Sequence, residues 1–447
     1  MSDAFPTIVT VTNLPTPPET GSIPLPEGAT ETNPRQTRWQ RLAAGVADPV
    51  MRILIVSGLV LTLGRGVFLA LTVLYFTLIV GLSAVEVAVI LTVSSAAGAV
   101  ASVAAGHLAD RFSARRLMVA FEFIAGSALI FYVVADSFSI ALTIACVYSG
   151  FHQAASSVRS AIIARAFDGE GRVNARAVLH TVTNIGIAIG SAAAGGALLV
   201  GTAEAFHVTM IVAGAVIVAS VIPLLRLPSR VNAPIIEANA DGSRERPGTS
   251  PYRDRRYLAL TVLTGIFCLH FGLAEIGLPL WILHNTDAPI AMVSVVLILN
   301  TVIVIAFQIP LSRGTNDIRH AGKVIAISGV LMAVACFVYA ASGLVSIWFA
   351  IVFLVIATIA HTFAEVLSSA GVWGLSFELA DQRRAGAYQG VFGLSWSISA
   401  TVAPLVVILA VTNGLLGWAA LAVVFLLSAF GVWWIALRAS APSSLVT

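Results

Sequence analysis

Residues Gly106 to Arg116 read Gly-His-Leu-Ala-Asp-Arg-Phe-Ser-Ala-Arg-Arg, a charged segment that interrupts an otherwise apolar part of the chain. One acidic residue, Asp110, lies among three arginines, and apolar runs flank the segment at 85–107 and 117–135. Each run has about the 20 residues that an α-helix needs to cross the hydrocarbon core of a bilayer. The segment is therefore predicted to be a charged turn between two membrane-spanning helices.

Apolar runs of this length recur along the chain. Of the 447 residues, 58% are hydrophobic and only 11% are charged, whereas a soluble domain carries about 25% charged residues. The runs are too long for barrel strands and lack their alternating pattern. We predict an all-α membrane protein with twelve transmembrane helices. The predicted spans are 53–80, 85–107, 117–135, 138–164, 174–200, 205–226, 257–283, 289–312, 322–341, 345–375, 385–411 and 415–437.

The basic residues predict the orientation of these spans. Every second connection is rich in arginine, and cytoplasmic loops are the ones that carry an excess of Lys and Arg. Both termini are therefore predicted to be cytoplasmic, as an even number of spans also requires. The net charge of +3 is assigned to topology and not to nucleic-acid binding. The connections without Lys or Arg lie near Gly81, Asp136, Thr202, Asn285, Ser342 and Asn413.

The longest polar interior segment, 227–256, divides the spans six and six. It is predicted to be a cytoplasmic linker between an N-terminal bundle at 52–226 and a C-terminal bundle at 257–438. The Pro-rich residues 1–51 cannot bury a core and are predicted to form a disordered cytoplasmic tail. Residues 439–447 are predicted to form a second cytoplasmic tail.

The two halves resemble each other weakly at an offset of about 207 residues. Asp110 has a counterpart in Asp317, and His152 has one in His361. Such similarity between six-span halves is typical of transporters built from parallel repeats, which bind substrate between the repeats near the midplane.

The segment from Gly106 to Arg116 resembles the signature of the major facilitator superfamily, Gly-x-Leu-Ala-Asp-Arg-x-Gly-Arg-Arg, with Ser113 where the family has its second glycine. The resemblance covers all twelve spans. It implies the major facilitator fold, in which two six-helix bundles expose a central cavity alternately to the two sides of the membrane. The gating residues that it implies are Gly106, Asp110, Arg111, Arg115 and Arg116.

Asp110 has a specific physical role in this interpretation. Span 11 begins near Ala385 on the same side of the membrane, and the amides of a helix N-terminus carry roughly half a positive charge, which a carboxylate stabilises by about 0.3–2 kcal/mol. We predict that this contact forms in the outward-open state and breaks in the inward-open state. The alternative is that Asp110 is solvated and that the arginines only hold the orientation of the chain.

Span 5 contains small residues at a helical spacing, including Gly186 and Gly190. It partly resembles the antiporter motif of the same family, with Ser191 in place of the proline. Small residues at this spacing let helix backbones approach closely. Close packing alone explains the pattern, and an antiporter function is the alternative.

Ionisable residues inside apolar spans cost at least about 2.5–3.5 kcal/mol each when charged, so each needs a function or a partner. The resemblance implies that spans 1, 4, 7 and 10 line the cavity. Glu365 is predicted to carry a coupling proton, with His361 on the same helix face and Glu275 as the alternate carrier, and Arg65 is predicted to bind substrate. The alternative is an ion pair between Arg65 and a carboxylate that joins the bundles without contacting substrate.

Three other polar residues of the spans are assigned structural roles. Glu122 lies in a peripheral span, and His152 is interpreted as a hydrogen-bonded core histidine. Arg159, near the basic end of span 4, is interpreted as a determinant of topology.

Aromatic residues in the spans are candidates for the walls of the cavity. The rings of Tyr75, Trp281, Trp373 and Trp396 are predicted to bind substrate. The alternative is that they anchor the chain at the lipid interface.

Several function classes are excluded by motif. The sequence has no phosphate-binding loop for ATP and no Gly-x-Ser-x-Gly elbow, and its histidines and cysteines are scattered over different spans. We predict that the protein is not an enzyme and has no cofactor or metal. Its partners are predicted to be a small-molecule substrate, protons and membrane lipid, with no nucleic acid.

Three functions stay open from the sequence. The first is proton-coupled export of a small amphipathic drug or natural product, by a monomer in the plasma membrane, since the motifs resemble those of drug–proton antiporters. The second is uptake or flipping of an anionic solute or lipid, for which Arg65 would bind the anion. The third, of another class, is a membrane-embedded sensor or structural protein.

Overall fold

The computed structural model describes residues 48–232 and 248–440. Within these ranges all regular structure is helical, and twelve helices are long and apolar enough to cross a membrane. The predicted all-α class and number of spans are confirmed. The predicted tails lie almost wholly outside the described residues. In chain order the helices are α1 Pro49–Ile79, α2 Val85–Ala109, α3 Ala114–Val134, α4 Phe138–Ala166, α5 Glu170–Val200, α6 Ala203–Leu224, α7 Arg255–Asn285, α8 Met292–Leu311, α9 Ile318–Ser342, α10 Ile347–Glu378, α11 Gln382–Thr412 and α12 Gly414–Ala439.

The helices pack as two equivalent six-helix bundles. In the first bundle α1 packs against α5 and α6, α4 against α2 and α3, and α3 against α6. In the second bundle α7 packs against α11 and α12, α10 against α8 and α9, and α9 against α12. Each pairing in one bundle therefore recurs six helices later, as a parallel repeat requires.

Contacts between the bundles follow the same symmetry. Helix α2 packs against α11, and the repeat-related pair, α8 and α5, packs together in the same way. Helix α4 also contacts α11, and α5 contacts α10. These pairings form two seams, one on each side of the region between the bundles.

Helices α1 and α5 pack with their backbones in contact. A Cβ atom added to Gly66 would lie 2.4 Å from the carbonyl oxygen of Ile187, and one added to Gly190 would lie 2.0 Å from that of Leu63. The hydroxyl of Ser191 donates to the carbonyl of Gly66 at 3.0 Å. The small residues of α5 therefore serve close packing.

Side chains at the connections define where two repeat-related helices begin. Asp317 accepts the amide of His320 at 2.7 Å and caps α9, and Ser113 accepts the amide of Arg116 at 3.4 Å and caps α3. Such N-caps are each worth about 1 kcal/mol. Ser113, which replaces a glycine of the family signature, therefore stabilises the start of α3.

The linker is described at its two ends, up to residue 232 and from residue 248. Arg115 donates to the carbonyl of Leu227 at 3.1 Å, which attaches the first end to α3. The amide of Thr249 donates to Asp381 at 2.7 Å, which attaches the second end to the start of α11. Helix α7 begins at Arg255, within the segment predicted as linker.

The first helix of each bundle contains a π-helical turn. In α1 it spans Tyr75–Ile79, and in α7 it spans Leu273–Gly277. Such turns are rare and are frequent at functional sites. The turn in α7 contains Glu275, one of the predicted proton-coupling residues.

Candidate functional site

One end of the two bundles carries the arginine-rich connections, and we call it the basic end. The carboxylate of Asp110, at the end of α2, reaches across to α11 of the other bundle. Its oxygens accept the backbone amides of Gly386 and Ala387, both at 2.8 Å. These amides lie in the first turn of the α-helical part of α11, where no intrahelical partner is available. The predicted contact is present, and Asp110 is not a solvated residue.

Arg165, at the end of α4, completes this contact. Its guanidinium donates to Asp110 at 2.6 Å and to the carbonyl of Ala109 at 3.0 Å. Arg165 belongs to one of the arginine-rich connections, from which the sequence predicts only the orientation of the chain. By contrast, the signature residues Arg111 and Arg116 are exposed, and their side chains make no hydrogen bond or ion pair with a described residue.

Two glycines bring α2 and α11 into backbone contact beside Asp110. A Cβ atom added to Gly106 would lie 2.3 Å from the carbonyl oxygen of Gly386, and one added to Gly386 would lie 2.4 Å from that of Gly106. Deeper along the same seam, the hydroxyl of Ser102 donates to the carbonyl of Gly390 at 3.3 Å. A side chain at either glycine would force the two helices apart.

The second seam carries polar contacts between α5 and the C-terminal bundle. Arg172 lies 3.6 Å from Glu378, and the ring of His180 donates from Nδ1 to Gln308 at 3.0 Å. The guanidinium carbon of Arg176 lies 3.5 Å from the centre of the Trp373 ring, a cation–π contact between the bundles. Both seams therefore close the central region toward the basic end.

Arg65 lies at the centre of this arrangement, about 24 Å along α1 from its first residue. Its side chain is half-buried and makes no hydrogen bond or ion pair within the described residues. The alternative of a direct ion pair is not realised here, because no carboxylate in the described ranges approaches Arg65 within 4.0 Å.

The three predicted proton-coupling residues lie in the facing bundle. Glu275 is exposed and has no side-chain partner in the described ranges. Glu365 is buried, and its Oε2 accepts the amide of Asn300 at 2.8 Å. His361, one turn before Glu365, shares a hydrogen bond with His270 at 3.4 Å.

The four predicted aromatic residues separate into two pairs. Trp373 and Trp396 approach each other with ring centres 6.4 Å apart, and Trp396 also contacts Phe271 at 5.3 Å. Tyr75 and Trp281 are instead packed inside their own bundles. Their polar atoms donate to the carbonyls of Tyr132 and Tyr339, both at 2.9 Å. The structure brings only the first pair near the central region.

A buried ion pair stabilises the N-terminal bundle away from the central region. Glu122 in α3 pairs with Arg159 in α4 and accepts the hydroxyl of Ser220 at 3.0 Å. Glu122 therefore has the structural role that was predicted, whereas Arg159 is its partner rather than a determinant of topology alone.

Four residues of the central region were missed by sequence reasoning: Arg176, His180, Asn300 and Gln308. Asn300 and Gln308 are polar residues within the apolar span α8, and this signal could have identified them. Arg176 and His180 lie near the start of the predicted span 174–200, beside an arginine-rich turn, and their ionisable side chains within a span are the signal that could have identified them. No group of three or more His, Cys, Asp or Glu in the described ranges is arranged to hold a metal ion.

The repeated bundles, the two seams and the charged residues between them define a membrane transporter. The family model for the Major Facilitator Superfamily matches residues 54–404. The chain belongs to this superfamily, whose members are transporters, and it is a multi-pass membrane protein. No curated protein is significantly similar to it in sequence.

Solved structures with the same fold are distant in sequence. The human organic anion transporter MFSD10 (TETRAN) is 14% identical, with a TM-score of 0.67 over 86% of this chain and 99% of that chain. A bacterial homologue of the iron transporter ferroportin in an outward-facing state is 15% identical, with a TM-score of 0.67 over 88% of this chain and 100% of that one. The transporter FucP in the outward conformation is 10% identical, with a TM-score of 0.66 over 89% and 100%. These likenesses establish the fold.

Proposed function

We propose that the protein is a proton-coupled secondary active transporter that moves a small amphipathic compound by alternating access. The observation that carries the proposal is that Arg65 on α1 and Glu275 on α7, ionisable residues of different bundles, form no hydrogen bond or ion pair through their side chains in the described ranges. Ionisable residues at this depth of a membrane protein mark substrate and ion pathways. If Arg65 and Glu275 had only a structural role, each would be expected to have a hydrogen-bonding or ion-pair partner.

The closed seams support alternating access. The contacts of Asp110 with Gly386 and of Arg172 with Glu378 join the bundles at the basic end. If this end is cytoplasmic, as the positive-inside rule predicts, the structure corresponds to an outward-facing state. If these contacts broke and the bundles closed at the other end, the site would then open to the cytoplasm. We assign the protein to the plasma membrane with both termini inside.

Glu365 is our first choice as the proton carrier. A coupling residue must change its surroundings between the two facing states. Glu365 lies on α10 within reach of Asn300 on α8, and α8 takes part in a seam between the bundles. Movement of this seam would change the hydrogen bonding of the carboxyl group. Glu275 and His361 are the alternates.

The proposal is tested in two steps. Growth of an efflux-deficient host against a compound panel identifies a substrate. Uphill transport of that substrate is then measured in vesicles with an imposed pH gradient, for the wild type and for Glu365→Gln. We expect Glu365→Gln to abolish gradient-driven transport and to retain downhill exchange.

The matched control is Glu204→Gln, an exposed carboxylate in the first turn of α6, which should transport like the wild type. Wild-type uphill transport by Glu365→Gln would exclude Glu365 as the carrier. The same result for Glu275→Gln and His361→Ala would replace proton coupling by a uniport or sodium-driven mechanism. The side of accumulation in the same vesicles distinguishes export from uptake.

A further inference from the structure

The linker between the bundles is attached differently at its two described ends. At the first end Arg230 pairs with Asp48, just before α1, at 2.6 Å. The hydroxyl of Ser113 donates to the side-chain oxygen of Asn232 at 3.0 Å. Both contacts lie within the N-terminal bundle. We call residues 248–254 the second linker end, and its contacts lie on both bundles.

The second linker end is fixed to the C-terminal bundle. The amide of Thr249 donates at 2.7 Å to the carboxylate of Asp381, just before α11. A Cβ atom added to Gly248 would lie 2.6 Å from the same carboxylate, so a side chain at this position would displace it. The hydroxyl of Tyr388 in α11 donates to Asp254 at 3.3 Å, and the chain continues directly into α7. The second linker end therefore moves with α7 and α11.

The ring of Tyr252 reaches from this segment to the N-terminal bundle. It lies parallel to the imidazole ring of His107 in α2, with an interplanar angle of 7° and ring centres 5.7 Å apart. This separation is within the range of attractive aromatic pairs. Because Tyr252 is 49% exposed, its ring can leave His107 without opening a cavity in a packed core.

The imidazole ring of His107 is oriented by α2 itself. Its Nδ1 lies 2.9 Å from the carbonyl oxygen of Val103, one turn earlier. A carbonyl oxygen only accepts hydrogen bonds, so Nδ1 carries the hydrogen and donates it. This hydrogen bond holds the ring in the orientation that stacks on Tyr252.

The stacked pair lies beside the contact that closes the basic end. His107 precedes Asp110 by three residues, about one turn of helix, and Asp110 accepts the amide of Gly386 in α11. Opening of this end separates α2 from α11. The hydrogen bonds of the second linker end to α11 can persist during that movement, whereas the stack of Tyr252 on His107 must break. A contact that is present in only one of two states shifts the population toward that state.

We propose that the second linker end is a clasp on the basic end. It is carried by α7 and α11, and its Tyr252 ring, stacked on His107 of α2, stabilises the state in which this end is closed. The inference rests on the proposed alternating access and adds a regulatory contact to it. The linker then takes part in the conformational equilibrium as well as connecting the bundles.

Alkylation of a buried cysteine measures how often the basic end opens. Ser157 is replaced by cysteine in a background without the native cysteines, because its side chain is buried in α4 beside Gly390 of α11. The full-length protein is treated with a dilute polar maleimide in lipid nanodiscs, where the rate follows the fraction of molecules that are open. Melting temperatures show whether each variant is folded.

Substitutions on both sides of the stack should speed the alkylation. We expect Tyr252→Ala and His107→Ala each to increase the rate about two- to ten-fold, the effect of losing one aromatic pair. Tyr252→Phe keeps the ring and should react like the wild type. The double alanine variant should react no faster than the faster single variant, because the two substitutions remove one contact. Unchanged rates in both single variants, or effects that multiply in the double variant, overturn the proposal.

The matched control is Trp434→Ala. Trp434 is an exposed ring that stacks on Arg438 at 3.6 Å, but both residues lie on α12, so loss of this ring should leave the alkylation rate unchanged. An increase equal to that of Tyr252→Ala would indicate a general loosening of the protein and would overturn the proposal.

Asp110→Asn in the same assay separates the clasp from alternating access. Faster alkylation in Asp110→Asn without an effect of Tyr252→Ala rejects only the clasp. No effect of either substitution rejects closure of this end by α2 and α11 as well. The assay needs no substrate and no pH gradient, so a failure of the proposed proton coupling leaves its outcome unaffected.

Discussion

The carboxylate of Asp110 caps a helix of the other bundle, accepting the amide of Gly386 at 2.8 Å, whereas Asp317, its counterpart in the weak sequence repeat, caps the helix that follows it in the chain, through His320 at 2.7 Å. In the structure Asp317 occupies the N-cap position that Ser113 occupies in the first half, so the aspartate that joins the two bundles is present in one half only. We therefore expect a change at Asp110 to affect the contact between the bundles and a change at Asp317 to affect only the stability of α9.

Asp110→Asn should shift the protein toward the state that is open at the basic end. The substitution keeps the shape but removes the charge at the start of α11, which is worth about 0.3–2 kcal/mol. Alkylation of a cysteine replacing Ser157, a buried residue of α4 near Gly390, should therefore become faster. Asp317→Asn is the control and should lower the melting temperature slightly without faster alkylation. Equal alkylation rates in the two variants would contradict the gating role.

Gly106→Ala should impair closure of the same seam by a steric route. Its methyl group would lie 2.3 Å from the carbonyl oxygen of Gly386, so α2 and α11 would have to separate. We expect transport turnover to fall at least about ten-fold, the equivalent of about 1.4 kcal/mol. Gly195→Ala on α5, where no atom lies within 4 Å of the added carbon, should transport normally. Normal turnover in Gly106→Ala would show that transport does not need the close contact between α2 and α11.

Glu122→Gln should destabilise the protein rather than alter its coupling. It leaves the mostly buried side chain of Arg159 without its carboxylate partner, and breaking a buried pair by removal of one member costs up to about 3–5 kcal/mol. Thermal unfolding should show a clearly lower melting temperature, and a second substitution, Arg159→Met, should recover part of the loss. A native melting temperature in Glu122→Gln would mean that the pair contributes nothing to folding.

The orientation of the chain is tested by tags in three connections. Labels at Asp136 and Asn413 should be reachable only from outside the cell, and labels in 235–250 should be reachable only from inside. The reverse pattern would invert the assignment of the basic end and, with it, the facing state of the structure.

Much of the fold could be predicted from the sequence because bilayer thickness fixes helix length. The twelve spans, their separation into halves and the contact of Asp110 with the start of α11 all follow from apolar length, charge distribution and motif. The relevant signals are local in the chain or common to the family. Even so, Arg165 as the partner of Asp110 was not recognised, because its guanidinium reaches the carboxylate only after α2 and α4 pack.

The central site was predictable only in part, because residue type does not determine which way a side chain faces. Trp281 and Trp373 are equally aromatic, but the first donates to Tyr339 inside its own bundle, and the second lies under Arg176 of the other bundle. The contact between Arg176 and Trp373 depends on how α5 and α10 meet, which no local pattern encodes.

The central claim is that the two bundles move about the site so that one end closes as the other opens. Spin labels are attached to cysteines at two pairs of exposed positions, in a background without the native Cys146, Cys268 and Cys336. Phe112 and His320 report on the basic end, and Asp136 and Leu344 report on the opposite end.

Pulsed electron spin resonance then gives the distance distributions of both pairs. We expect Asp110→Asn to lengthen the distance at the basic end and to shorten the distance at the opposite end, and we expect a substrate identified by transport to redistribute the same two populations in the wild type. Distances that do not respond to either change, or that change in the same direction at both ends, would contradict alternating access.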